Sequence, residues 1–338
     1  SCNVANNGKR KTKMRLINMK TFVTHFVLLM SIVLSPLSAF EIENLPVQSE
    51  GRIKPLDTFA RNHLLRFYGK REVKEHQLKA TDWLLDLILD PENGRDLKIF
   101  NIRNPEVVSS LFLDWTTDHK YSYNEIIDGL KNQLDLINAI DQKDNSDRSA
   151  FEKQLIELSQ NAIIFEELIY MKNIKLIPPG LLDENAVWQS PYDFIISGVT
   201  PAYHQEEILN SLQKYLAARF QKNKSEMNSA LTSFEKVVSE LPMSSLDVKK
   251  LKDETWMNEV ELFVKSLVFY ILSFLLIGIS WMVKPIFFRN ISYLSLIIGF
   301  LIHGYGILLR MQIMGRPPVS TLYESVIFVS FILLLLAV

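Results

Sequence analysis

Hydrophobic positions divide this chain into two unlike regions. Residues 40–260 mix charged, polar and apolar side chains, whereas residues 262–338 are almost wholly apolar. In the first region, several segments repeat apolar residues every three or four positions, as an amphipathic helix does. No long alternating pattern of the strand type accompanies them, so we predict a mainly α fold. The helical segments are 82–90, 123–140, 151–171, 206–220 and 228–241.

The second region contains apolar segments of the kind that cross membranes. Residues 262–283 and 291–309 each have the length that a helix needs to span a bilayer. A third segment, 322–338, is shorter and runs to the last residue. We therefore expect residues 262–338 to be the first three spans of a polytopic α-helical membrane domain, in a chain that is truncated.

Residues 1–39 resemble an N-terminal extension followed by an export signal. From Met19, a lysine precedes an apolar core, and a proline and small residues follow up to Ala39. A cleaved signal peptide and an uncleaved anchor are both open interpretations. Either one sends residues 40–260 out of the cytoplasm, so we expect this part to be an external, periplasmic helical domain.

Composition and motifs exclude several classes of function. The 37 Lys and Arg residues are balanced by 38 Asp and Glu residues, so we expect no nucleic-acid partner. The one cysteine, Cys2, precedes the predicted mature start, which argues against a disulfide framework, a thiolate zinc site and a cysteine nucleophile. Gly-rich phosphate loops and the H-E-x-x-H and G-x-S-x-G motifs are absent.

His303 is the most informative single residue, because an ionisable side chain inside a spanning helix usually has a partner or a ligand. Gly306 and Arg310 follow at three and seven positions, so they share a helix face, with Arg310 about 10 Å further along. A neutral imidazole suits haem iron, and a guanidinium suits a haem propionate. The alternative is that His303 hydrogen-bonds a neighbouring helix and Arg310 marks the interface. Periodicity alone favours this alternative.

The segment "MGRPPVSTLYES" predicts a stiff loop followed by a helix start. Ser320 or Thr321 can cap that helix, and Glu324 stands at capping-box spacing from Thr321. A loop and a cap account for most of these residues. They leave Arg316 and Tyr323 without an explanation.

Residues 51–71 combine basic and aromatic side chains around His63 at helical spacing. Asp57 or Thr58 is the predicted N-cap of this helix. Two interpretations are open. The segment is either a basic amphipathic helix on the membrane surface or a site for an anionic ligand such as a propionate-bearing porphyrin.

Two segments resemble a known family. "GFLIHGYGILLRMQIMGRPPVSTLYESVIFVSFILLL" is similar to the opening spans of the CcsA/ResC-type haem-handling proteins, in which a Gly-x-x-x-Arg span leads to an outer G-x-x-P-x-S/T-x-Y-E-S loop. "GRIKPLDTFAR" resembles a segment that precedes the CcsA portion of the fused CcsBA-type cytochrome c synthases. The positions that correspond to the first pattern, with one residue more between the serine and the tyrosine than the pattern has, are Gly306, Arg310, Gly315, Pro318, Ser320, Tyr323, Glu324 and Ser325.

The resemblance implies part of a System II cytochrome c synthase in the bacterial inner (cytoplasmic) membrane. Such a protein handles haem b at the outer face and attaches it to the C-x-x-C-H thiols of apocytochrome c. The implied partners are apocytochrome c, a CcsB/ResB-type subunit or fused domain, and membrane lipid. The candidate cofactor-binding residues are His303, Arg310, Arg316, Tyr323, Glu324 and His63, and His303 is also the candidate ligand of the haem iron.

The tryptophan-rich catalytic segment of that family is missing, because no tryptophan follows Trp281. The catalytic residues are therefore unknown, and whether this chain is itself an enzyme stays open. Other classes of protein share this organisation: a membrane receptor or sensor with an external ligand-binding domain, or a transporter accessory protein with an external scaffold. The segment after the third span would distinguish these classes.

Overall fold

A computed structural model describes residues 40–73, 78–179, 187–241 and 247–337 of the protein. These residues are mainly helical, which confirms the predicted fold class at that level. The predicted signal peptide lies outside the described residues.

The helices of the first region confirm the predicted helical segments, with one division. The predicted helix at 123–140 is two helices, because the backbone leaves the helical conformation at Gln133 and its side-chain amide donates to the Ser110 carbonyl, 3.0 Å away. The helices are α1 (Leu56–Tyr68), α2 (Ala80–Leu89), α3 (Pro91–Asp96), α4 (Pro105–Ser110), α5 (Tyr123–Asn132), α6 (Leu134–Asp141), α7 (Ala150–Ile169), α8 (Pro191–Ser197), α9 (Tyr203–Phe220) and α10 (Lys224–Glu240).

A short β-hairpin precedes α1, and the hydrophobic pattern did not predict it. Strands β1 (Pro46–Ser49) and β2 (Arg52–Pro55) pair in antiparallel fashion around Glu50 and Gly51. Both turn residues have positive φ, 52° and 77°, as a two-residue turn that follows the twist of the strands requires. A second short pair joins β3 (Phe100–Asn101) to β4 (Lys120–Tyr121).

Aromatic side chains form the centre of the first region. Phe165 of α7 is fully buried, with ring centroids 6.0 Å from Phe67, 5.4 Å from Phe100 and 5.1 Å from Tyr123. Phe67 also meets Trp83 of α2 edge-on. The core therefore draws on helices that are distant in sequence, so local helical periodicity alone could not have assembled it.

Helix α11 (Val248–Val260) connects this region to the apolar helices. It is followed by α12 (Leu262–Ser280), and the backbone between them has a positive φ of 51° at Glu261. The next helix is α13 (Pro285–Met314). Residues Val248–Ser280 and Pro285–Met314 are long and apolar enough to cross a membrane, whereas the apolar helix α14 (Leu322–Ala337) is shorter.

Two predicted boundaries of the apolar helices are wrong. The interval 284–290 between the two predicted segments is mostly helical, because α13 begins at Pro285, and proline at the first helical position favours a helix start there. At the other end, α13 continues past Arg310 to Met314, and Gly315 ends it with a φ of 63°. Arg310 is therefore a helical residue, and the connecting loop begins at Gly315.

Small residues hold α12 and α13 close together. Ser273 donates to the Ser292 carbonyl at 2.9 Å, and Ser292 donates to the Ser273 carbonyl at 2.8 Å. Ser295 donates to the carbonyl of Phe269 at 2.8 Å. Hydroxyl-to-backbone bonds of this kind join apolar helices where the backbones approach closely.

Replacing Phe165 with alanine should destabilise the first region strongly, by about 3–5 kcal/mol, because the change leaves a cavity among buried rings. Ile163→Ala on the same helix is the matched control, since this side chain is 58% exposed. Denaturant unfolding of the whole chain in detergent, followed by tryptophan fluorescence, measures both. Equal losses in the two variants would contradict the proposed core.

Candidate functional site at the junction of the apolar helices

His303 lies where three apolar helices meet. It is 5% exposed in α13, and its ring is flanked edge-on by Phe263 of α12 and Phe331 of α14, with ring centroids 5.7 and 5.5 Å away. The Tyr270 hydroxyl of α12 lies 3.2 Å from Nδ1. The neighbouring-helix hydrogen bond, which was one of the two interpretations of His303, is thus present.

The two nitrogens of His303 differ in their surroundings. Nδ1 shares the hydrogen bond with Tyr270, but Nε2 is buried and has no hydrogen-bond partner among the described residues. The backbone of Ile327 in α14 interacts with the ring without reaching hydrogen-bond geometry. A buried polar atom without a partner costs about 1–3 kcal/mol. Hydrogen bonding between helices therefore accounts for Nδ1 of His303 but not for Nε2.

Two glycines beside His303 admit the rings that enclose it. A Cβ on Gly306 would lie 3.0 Å from a ring carbon of Phe263, and a Cβ on Gly304 would lie 3.0 Å from a ring carbon of Phe331. Gly304 thus allows close packing against α14, and the space at Gly306 is filled by Phe263 in this conformation.

Four of the predicted site residues form one cluster between α13 and α14. Arg310 Nε donates to Glu324 Oε1 at 3.0 Å, and a terminal nitrogen of Arg316 lies 3.6 Å from the same oxygen. The Arg310 guanidinium lies 5.6 Å from the ring centre of Tyr323. Two guanidinium groups thus converge on one carboxylate, and the cluster carries a formal excess of one positive charge.

The Glu324 carboxylate is almost fully buried, at 2% exposure, and only one of its oxygens is paired. Oε2 has no partner among the described residues. The Glu324 N–H donates to Thr321 Oγ1 at 3.2 Å, so Thr321 caps α14 as predicted. The reciprocal half of the predicted capping box does not appear among the described hydrogen bonds, since the carboxylate is turned toward Arg310.

His303 and Arg310 face the same helix, as their spacing predicts. His303 meets Phe331 of α14, and seven residues later Arg310 meets Glu324, seven residues earlier on α14. Because a step of seven residues forward on α13 corresponds to seven residues backward on α14, the two helices run antiparallel along this interface. Seven residues correspond to about 10 Å along a helix.

The segment 51–71 forms β2 and α1 of the first region, and two of its arginines are paired with carboxylates. Arg61 pairs with Asp57 at 2.8 Å, and Arg52 pairs with Glu254 of α11 at 2.7 Å. Burial raises the pKa of Asp57, and the attraction of Arg61 opposes that rise. Arg52 and Arg61 therefore have structural partners, and the two interpretations of the segment stay predictions.

The predicted N-cap of α1 is wrong. Neither Asp57 nor Thr58 caps the helix, because both side chains face α11. Asn258 of α11 donates to Asp57 at 3.0 Å and to Thr58 at 2.8 Å, and Thr58 donates to Glu254 at 2.8 Å. These bonds attach α1 to the helix that leads into the first apolar segment.

His63 is separate from the other predicted site residues. Its Nδ1–H donates to the Phe59 carbonyl at 2.9 Å, and its ring packs on Phe59 and Phe67. None of its hydrogen bonds or ring contacts in the described ranges involves α13 or α14. Burial lowers the pKa of the His63 imidazole. His63 therefore behaves as a packed residue of the first region.

The site also includes residues that the sequence did not single out. Tyr270, Phe263 and Phe331 enclose His303, yet each is one aromatic residue among many apolar ones. Tyr270 carries the one weak signal, a polar hydroxyl within an uncharged part of a predicted span. Spacing along one helix cannot tell which residue of another helix will face it.

Across the described residues, no group of three or more His, Cys, Asp or Glu side chains could hold a metal ion. Comparison with protein-family models and with curated proteins gives no match for this chain.

The stability of the first region should decrease as the pH falls through about 6.5, the ordinary pKa of histidine. The folded-state pKa of His63 is lowered, so the unfolded chain binds a proton that the folded chain does not, and this favours unfolding at lower pH. Chemical unfolding of the wild type and of His63→Gln between pH 5 and 8 measures the effect. The free energy of unfolding should fall more steeply with decreasing pH in the wild type than in His63→Gln. An equal pH dependence in the two proteins would contradict the prediction.

Arg310 and Glu324 should be energetically coupled. A double-mutant cycle of Arg310→Ala and Glu324→Ala should give a coupling of about 0.5–3 kcal/mol for unfolding in detergent, as expected for residues in direct contact. The Arg316→Ala and Glu324→Ala cycle is the matched comparison. It should give a smaller value, because Arg316 is further from Glu324 and 40% exposed against 27% for Arg310. Equal coupling in both cycles would refute the assigned pairing.

Proposed function

We propose that this protein is a haem-handling component of a cytochrome c synthase in a bacterial inner membrane, with residues 40–260 on the periplasmic side. The observation that carries the proposal is the His303 imidazole, whose Nε2 is buried without a partner on the helix face that also presents Arg310. Ionisable residues within apolar helices mark functional sites by default. The export signal predicted in residues 1–39 supports the periplasmic side.

The side chains present suit a haem b molecule in their chemistry. Imidazole Nε2 is an axial donor for haem iron, and Arg310 and Arg316 are donors for propionate carboxylates. Arg310 lies about 10 Å further along α13 than His303, so a ligand held by His303 would have to extend about that far to meet Arg310. Tyr323 adds an aromatic face beside Arg310.

Binding at this site requires α14 to separate from α13. Phe331 covers one side of the His303 ring, and Glu324 engages both arginines. A propionate could replace the Glu324 carboxylate on Arg310 without leaving the guanidinium unpaired. Glu324 thus stands in for the ligand anion in the closed arrangement, and the excess positive charge of the cluster favours the exchange.

Haem, when bound, supplies the vinyl groups to which the C-x-x-C-H thiols of apocytochrome c add. The residues of this chain would retain the haem, orient it and hold its carboxylates at the outer end of α13. The residues that promote thiol addition would come from another segment or from a CcsB/ResB-type partner. Lipid would surround the exposed faces of α12 and α13.

Haem content tests the proposal directly. The chain is purified from membranes of haem-replete cells, and its haem-to-protein ratio and Soret absorption are compared with those of variants. His303→Ala should lose most of the bound haem, and Arg310→Ala combined with Arg316→Ala should lose part of it. Leu308→Ala on the same helix is the control, because that side chain is 59% exposed and lies outside the site.

Two outcomes would contradict the proposal. Haem retention in His303→Ala equal to the wild type would remove His303 as the ligand. A wild-type protein without haem, even after addition of haem, would remove the function itself and favour a receptor or sensor with an external ligand domain.

A further inference from the structure

Tyr270 provides the side-chain hydrogen bond to His303 in the described part of the chain. Its hydroxyl oxygen lies 3.2 Å from Nδ1, across the tight interface between α12 and α13. A Cβ on Gly299 would lie 2.8 Å from a ring carbon of Tyr270, so the absence of a side chain there makes room for the tyrosine. Gly299 lies four residues before His303 and thus under the same helix face.

The ligand-free arrangement favours one tautomer of His303. A neutral imidazole carries its proton on one nitrogen, and a tyrosine hydroxyl can donate or accept. If Nδ1 carried the proton, both Nε2 and the Tyr270 hydroxyl hydrogen would lack a partner among the described residues. If Tyr270 donates to Nδ1, only the Nε2–H lacks one, and it lies among aromatic rings and near the Ile327 backbone. The second arrangement leaves fewer polar groups without a partner among the described residues.

Ligation of a metal by Nε2 requires the opposite tautomer. The lone pair must then be on Nε2 and the proton on Nδ1, so Nδ1 needs an acceptor. We propose that Tyr270 positions His303 by serving both tautomers, donating to Nδ1 in the closed arrangement and accepting from Nδ1–H when Nε2 binds haem iron. This inference rests on the proposed haem-handling function.

The exchange balances with water as the proton carrier. While α14 is separated from α13, one water molecule accepts the proton from Nε2 and another delivers a proton to Nδ1, so the imidazole stays neutral. The Tyr270 hydroxyl hydrogen then rotates away from the ring. A carboxylate at this position would hold the Nδ1–H form permanently. A phenylalanine has no hydroxyl, so it would stabilise neither tautomer of His303. A hydroxyl is therefore the group that allows His303 to be packed without haem and to act as a ligand with it.

Removal of the hydroxyl should weaken haem binding while the fold is kept. Loss of the partner of a metal-bound histidine typically lowers affinity about 10–100-fold. Tyr270→Phe should show this loss for ferric haem, together with a higher reduction potential, because the imidazole becomes a weaker donor to ferric iron. The change removes one oxygen and keeps the ring against Gly299.

The matched control is Tyr305→Phe. Tyr305 is also half-buried among the apolar helices, but its ring contact is with Trp256 and it makes no hydrogen bond to His303. The whole chain in detergent is titrated with ferric haem, its bound haem is taken through a redox titration, and thermal unfolding verifies folding. Tyr305→Phe should match the wild type in affinity and potential.

The outcomes separate the two proposals. If His303→Ala abolishes binding and Tyr270→Phe matches the wild type in affinity and potential, the role of Tyr270 is refuted and the haem function stands. If His303→Ala leaves binding unchanged, the ligand assignment fails and the inference fails with it. A selective loss in Tyr270→Phe, with Tyr305→Phe unaffected, supports the positioning role.

Discussion

The close approach of α12 and α13 is the constraint on which the rest of the apolar part depends. Reciprocal bonds between Ser273 and Ser292 bring the two backbones together, and Gly299 receives the ring of Tyr270 further along the same seam. Only at this separation does the Tyr270 hydroxyl reach His303. Larger residues in the seam would move the helices apart and leave both nitrogens of a buried imidazole without partners.

A second set of contacts joins this helix pair to the first region of the fold. Asn258 and Glu254 on α11 bind residues of α1 and the β-hairpin, and α11 is followed almost directly by α12. On its other side, Trp256 meets Tyr305 of α13 edge-on. The basic segment is therefore a structural connection. Arg52 and Arg61 neutralise buried carboxylates where the polar and apolar parts of the protein meet.

The seam between α13 and α14 differs from that between α12 and α13. It combines aromatic rings around His303 with a charged cluster at Arg310, Arg316 and Glu324, and one oxygen of the buried carboxylate has no partner. Such an interface leaves polar groups incompletely satisfied, which is unfavourable for stability. The interface between α13 and α14 is therefore better suited to open for a ligand than the interface between α12 and α13, which serine-to-carbonyl hydrogen bonds hold together.

The sequence by itself determined the mainly helical class, most helix positions in the first region, and the shared face of His303 and Arg310. These follow from periodicities of a few residues, which local backbone geometry imposes. The division of one helix at Gln133, the hairpin at Glu50 and Gly51, and the pairing of basic residues in 51–71 needed the tertiary structure. So did the partners of His303. Which side chain of a distant helix satisfies a buried polar group depends on helix packing, and packing is decided by the whole set of contacts.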